Sequence, residues 1–260
     1  MKPSTVRLVA IGIGVFLVFG LLSALATGDT AGARDIAGAV VALAAIGGLA
    51  ALARRIRTEP RRDATQDAAR DLGLGFAARD VFGLIDLPFP LFQRVVTVRG
   101  LDNVMFGTWR GSDVKVFEYW YARSSDPSID DYERFSCLMT PIPSHWPDLQ
   151  ITPETLVTRA VGRLTTQEID MESESFNRAF TVRSADRRFA RALLDAQMMR
   201  WLLDLGGRWG FEIVGGTLLC YRSPRLEPWT LEPFLESGMD FVDRIPNVVR
   251  SLFPEPTIDI

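Results

Sequence analysis

The sequence is poor in the residues that most often carry chemistry. Histidine occurs once in 260 residues, at His145, and cysteine twice, at Cys137 and Cys220. One histidine excludes zinc sites built on several histidines, the HExxH pair and two-histidine facial triads. Two isolated cysteines without CxxC spacing exclude a disulfide scaffold and a thiolate cluster. Each sits in a strand-like apolar run, where a free thiol packs as a small hydrophobe. No serine lies in a G-x-S-x-G elbow, and no glycine-rich loop precedes a lysine. His145 lies between Ser144 and Trp146 in a proline-rich turn and reads as a loop residue. Lysine is scarce as well, at Lys2 and Lys115 only, so 27 of the 29 basic residues are arginine. That bias runs through the whole chain, as a G+C-rich coding sequence produces, and marks no site.

Long charge-free runs are present. Leu8 to Ala26 and Ile36 to Ala53 carry no charged residue. A helix needs about 20 apolar residues to cross a hydrocarbon core of about 30 Å, so both are long enough to span. The short link between them predicts an antiparallel transmembrane hairpin over residues 1–53. The run before Ala24-Leu-Ala26 exceeds the usual apolar region of a cleaved signal, which favours retention. Neither run holds the intramembrane charges that mark ion or proton pathways, so the hairpin is an anchor.

The net charge of −3 is unevenly spread. Residues 1–53 carry +1. Residues 54–62, with Arg54, Arg55, Arg57, Arg61 and Arg62 against Glu59, carry +4, and the remaining body carries −8. A basic strip after the last span holds that side in the cytoplasm. The expected topology is a multi-pass protein of the inner (plasma) membrane, with its N-terminus and a 63–260 body both cytoplasmic. The five arginines face lipid headgroups as a topology signal. A body of −8 argues against nucleic acid, whose binding rests on cationic neutralisation of phosphate.

Along the body, Asp63 to Leu72 predicts a helix stopped by Gly73. Gly73-Leu-Gly75-Phe-Ala-Ala78 matches a dinucleotide fingerprint in letters only, because here the glycines follow a helix instead of a strand. Val81 to Phe92 reads as a buried, extended connector. Strands are expected over 104–110 and 113–122 about a Gly111-Ser112 turn, over 133–140, over 166–171 and 176–183, and over 211–214 and 217–222 about Gly215-Gly216. Thr152-Pro153 reads as a helix start. A long amphipathic helix is expected from a Ser184 cap to Gly206, and another over 231–253 interrupted at Pro246. The fold class is α+β: a transmembrane hairpin followed by antiparallel strands with two or three helices.

Carboxylates are the candidates for chemistry. Glu168, Asp170, Glu172 and Glu174 recur at every second position, so a continuing strand would line them on one face as a Mg²⁺ or Ca²⁺ site. The plainer reading is a solvated strand edge. Phe176, Asn177, Arg178 and Phe180 place a polar pair between core aromatics, where it caps a turn or pairs with the acidic stripe.

The stretch Glu174-Ser-Phe-Asn-Arg-Ala-Phe-Thr-Val182, followed by Phe189-Ala190 and Leu193-Leu194, resembles an uncharacterised family of bacterial, mainly actinobacterial, membrane-anchored proteins. Its members join one or two N-terminal spans to a cytoplasmic domain with an FNRxF-x-V strand and an A-x-x-LL helix. The resemblance implies the architecture and supplies no catalytic residue. The functional expectation is a membrane-tethered binding or scaffold domain that needs no cofactor. Its partners would be the bilayer, through the hairpin, and a protein or peptide. The rival reading is a divalent-cation-dependent hydrolase using the Glu168–Glu174 stripe.

Overall fold

The computed structural model describes residues 61–122, 132–156 and 167–255. The two expected spans, with Arg54, Arg55 and Arg57, lie outside the described residues. No helix among those residues is long and apolar enough to cross a membrane. From residue 64 onward the described residues belong to one compact unit.

Its framework is an antiparallel sheet of nine strands: β1 (Gly75–Arg79), β2 (Val98–Trp109), β3 (Ser112–Ala122), β4 (Tyr132–Pro141), β5 (Leu149–Pro153), β6 (Gln167–Glu168), β7 (Phe180–Ser184), β8 (Trp209–Val214) and β9 (Thr217–Arg222). The spatial order is β1-β2-β3-β4-β9-β8-β5-β7-β6. Helix α1 covers residues 61–71. It is followed by α2 (Glu174–Ala179), α3 (Arg187–Leu193), α4 (Ala196–Asp204), α5 (Leu231–Asp243) and α6 (Asn247–Leu252). The α+β class follows from this arrangement.

Both hairpin turns are built from residues with positive φ. The β2–β3 turn is Arg110-Gly111, at φ 49° and 79°, one residue earlier than the Gly111-Ser112 expected. The β8–β9 turn is Gly215-Gly216, at 53° and 80°. Two successive left-handed residues match the twist of the flanking strands, and this requirement sets the register. Helix α1 ends as its composition dictates: Gly73 takes φ 73°, and Leu74 N–H reaches back to Ala69 O.

The sheet is covered on both faces, which explains why its central strands are apolar almost throughout. One face packs Val116, Leu138, Cys220, Phe211 and Ile213 against the helices. The other packs Phe117, Tyr119, Tyr121, Phe135, Cys137, Leu219 and Tyr221 beneath a connector that includes Leu84, Phe89, Leu91 and Phe92. Cys137 pairs with Tyr221 and Leu138 with Cys220. Since neighbours on a strand face opposite ways, the two free thiols belong to different faces.

Several expected elements differ. The long helix from Ser184 is two helices. Asp186 caps α3 by accepting from Arg188 N–H and Phe189 N–H, and Asp195 caps α4 by accepting from Gln197 N–H and Met198 N–H. The second Asp gives the chain a place to restart, and the expected single helix breaks there. Ser184 stays in β7, where its hydroxyl donates to Asp148 O. Thr152-Pro153 closes β5 and leads only to a single 3₁₀ turn, Glu154–Leu156. The expected 176–183 strand begins as helix α2.

Candidate functional site

The connector between β1 and β2 forms a strap over the aromatic face. Asp80 shapes its start, accepting from Phe82 N–H and Ile85 N–H, both at 3.0 Å. Leu87-Pro-Phe-Pro then turns on local bonds, Phe92 N–H donating to Phe89 O at 2.9 Å. Prolines suit a segment that makes no ladder, because they fix φ and present no N–H. Phe89, Leu91 and Phe92 are buried as expected, but the connector is neither buried nor extended throughout: Val81 and Phe82 are exposed and Leu84–Asp86 forms a 3₁₀ turn.

Beneath the strap lies a buried polar cluster centred on Glu212 of β8. Leu91 N–H donates to Glu212 Oε2 at 3.1 Å, and Gln150 Nε2, directly across on β5, donates to Oε1 at 3.2 Å. The Tyr221 hydroxyl lies against Thr152 and Glu212, without a hydrogen bond of ordinary geometry. Arg94 donates to the Tyr121 hydroxyl at 2.9 Å and lies over the Tyr121 and Phe135 rings. Arg99 donates to Phe92 O, tying the strap down a second time.

Burial pushes the Glu212 carboxyl up to about 7, against the pull of Leu91 N–H, Arg94 and Gln150 toward the charged form. Burial likewise pushes Tyr119 up to about 12. Desolvation outweighs the donors because no full counter-ion pair forms and two neutral hydrogen bonds replace a carboxylate's hydration incompletely. The cluster can therefore hold a proton near neutral pH. Both carboxyl oxygens are engaged by the strap and by Gln150, so what Glu212 does is join elements.

The acidic stripe is not gathered into a site. Ladder pairing stops at Glu168, which sits 3.7 Å from Arg183. Ile169 and Met171 turn inward while Asp170 and Glu172 stay exposed. Ser173 then caps α2, which carries Glu174 into a helical first turn. Among the described residues no group of three or more His, Cys, Asp or Glu is placed to hold a metal ion. The strand face expected to align all four carboxylates ends where the serine cap bends the chain.

The Phe-Asn-Arg stretch lies on α2, with Phe180 starting β7. Asn177 Nδ2 donates to Met171 O at 2.8 Å, and its Oδ1 accepts from Met171 N–H at 2.9 Å. The side chain thus completes both backbone bonds of a residue that the truncated strand leaves unpaired. Phe176 and Phe180 stack at 5.0 Å inside the core. Arg178 lies 3.9 Å from Glu174 on the exposed helix face. His145 is tied to Phe253 O at 2.8 Å. Arg61 and Arg62 lie in the first turn of α1.

No family model matches the chain, and no curated protein matches it. Its fold is similar to the crystal structure of the mycobacterial trehalose monomycolate transport factor A, TtfA. That similarity has a TM-score of 0.52 at 13% sequence identity and covers 76% of this chain and 97% of the chain in that crystal structure. At that identity the likeness is one of fold.

Proposed function

We propose that this protein is a membrane-tethered binding or scaffold component of a transport system, anchored in the inner (plasma) membrane by residues 8–26 and 36–53. Its body and N-terminus are cytoplasmic in this reading. The observation that carries it is the fold shared with TtfA over 97% of that chain. The charge-free runs and the arginine strip at 54–62 support the tether. Its partners are the bilayer and a protein or peptide of that transport system. No observation favours the hydrolase alternative, since the described carboxylates form no metal cluster.

The test is extraction and crosslinking of the full chain in native membranes. The chain is expected to stay in the membrane pellet through alkaline carbonate, and photo-crosslinkers on the body are expected to capture a membrane-associated protein of a transport system. Release by carbonate, or crosslinks to soluble proteins alone, would overturn the reading.

A further inference from the structure

The strap between β1 and β2 lies on the aromatic face without joining the sheet. Among the described residues its N–H groups from Phe82 to Val96 make local turns, with one exception, Leu91 N–H to Glu212 Oε2. Arg99 holds it from β2 through Phe92 O, and Arg94 anchors its end on the Tyr121 hydroxyl. The rest of the attachment is apolar: the Phe92 ring lies 4.9 Å from that of Tyr119 and 6.2 Å from that of Phe117. Residues 84–93 thus form one piece, pinned to the sheet by hydrogen bonds at two adjacent residues, Leu91 and Phe92.

The carboxyl under that pin has surroundings that suit its neutral form. Leu91 N–H and Arg94 face it from the strap, Gln150 from β5, Tyr221 from β9 with Thr152 behind it, and Cys137 from β4. Tyr119 and Tyr121 of β3 and Arg99 of β2 complete the titratable and charged groups around these. Neither arginine forms an ion pair with Glu212; Arg94 is bonded to Tyr121 and Arg99 to Phe92 O. A carboxylate offers about four acceptor sites, and two neutral donors fill only part of them. Tyr119 Oη, Tyr221 Oη and Arg94 Nε are also buried there without a hydrogen-bond partner. Each is kept from water at a cost that hydration would remove. β5 and β9 flank β8, and helices cover the other face of the sheet. Water therefore reaches Glu212 most directly by displacing the strap.

We propose that the strap is a proton-controlled cover, locked over the aromatic face while Glu212 is protonated and released when that carboxyl ionises. Residues 84–93 lift about Gly83, which holds φ 68°, while Arg94 stays on the Tyr121 and Phe135 rings. Lifting hydrates the carboxylate and the three orphaned groups together. It also uncovers Phe117, Tyr119, Phe135 and Tyr221, so access to that face follows the proton. Burial, which pushes the Glu212 carboxyl up to about 7 in the closed form, sets the direction. An open strap returns it to the ordinary 4.5. Opening is therefore rarest below that pH, grows toward pH 7 and is level above it. The device lies wholly within the body and works with or without the tether.

The test is amide hydrogen exchange of the full chain from pH 5 to pH 8, read on peptides covering 84–93 and, as the control, α5. Rates are corrected for the intrinsic pH dependence of exchange. In the wild type the strap amides are expected to exchange at least about ten-fold faster than those of α5, because they open locally. Their opening is expected to rise roughly 50- to 100-fold from pH 5 to pH 8, and to lose that slope in Glu212→Gln. Strap amides as slow as those of α5 would mean that the cover leaves only when the whole body unfolds, which overturns the inference. A wild-type strap without a pH slope overturns it too, as does a slope that persists in Glu212→Gln. Protection of α5 in the variant verifies that it is folded, and the two wild-type outcomes decide without it.

Discussion

Glu212 ties residues 121 positions apart, and its carboxyl ionises far above the range of a solvated glutamate. The folded state holds its proton more tightly than the unfolded chain. The stabilisation is therefore complete below about pH 4.5 and lost as pH rises to about 7, after which it is flat. Between pH 5 and pH 8 the effect is roughly 2 to 3 kcal/mol. Urea denaturation at the two pH values is expected to show that loss in the wild type and not in Glu212→Gln, which keeps an acceptor for Leu91 N–H. An equal slope in both would clear Glu212 of the role. Asn177 makes a different kind of prediction. Asn177→Ala removes two hydrogen bonds and strands the Met171 backbone groups, at a cost of about 2 kcal/mol. Asn177→Asp is expected to cost at least as much, because a carboxylate cannot donate to Met171 O. Denaturation midpoints of the two variants check this. The Phe-Asn-Arg stretch stood out in the sequence as a polar pair among aromatics, and its structural character was legible. Glu212 was not: in Trp-Gly-Phe-Glu-Ile-Val a lone acid at an alternating position is what any half-exposed strand shows. Only the strap, arriving from far upstream, buries it.

Elements were legible where a local device sets them and illegible where tertiary contacts decide. The paired glycines at 215–216, Gly73 after α1 and Pro246 between α5 and α6 each ended an element where expected. The expected strand over 176–183 failed because Phe176, Phe180 and Val182 satisfy alternation while Ser173 supplies a helix cap that alternation ignores. Two-sided burial blurred the rest. Strands covered on both faces lose the polar alternation that fixes their ends, so β2 begins six residues earlier than its alternation suggested. Across the sheet, glycine faces an aromatic ring at Gly75–Phe106, Gly100–Trp120 and Gly210–Tyr221. A β-carbon at Gly210 would lie 2.2 Å from Tyr221 Cζ, and that ring is wholly buried with nowhere to move. Gly210→Ala is expected to destabilise by about 2 to 3 kcal/mol as an overpacking change. Tyr221→Leu in the same chain should recover part of the loss, and a double-mutant cycle by thermal denaturation measures the coupling.

At the scale of the molecule, one sheet carries two hydrophobic layers, and each cysteine belongs to one of them. Burial raises the Cys137 and Cys220 thiols well above their ordinary range. A disulfide between them is barred by the sheet itself, since their side chains leave opposite faces. The native chain is expected to react with neither thiol in a DTNB assay and to react with both in denaturant, so reactivity reports global opening. Reaction of one thiol under native conditions would show that one layer opens alone. The two apolar runs and the arginine strip carry the tether reading in the sequence, and both runs lie outside the described residues.

The strap also sets a timetable. It is synthesised between β1 and β2, yet the strand that receives Leu91 comes 121 residues later. At about 5 to 20 residues per second the ribosome needs roughly 6 to 24 s to deliver that strand. Through that interval the seat is only half built: Phe117, Tyr119 and Phe135 are already made, while Leu219, Tyr221 and the acceptor for Leu91 N–H are still to come, so the strap closes in two stages.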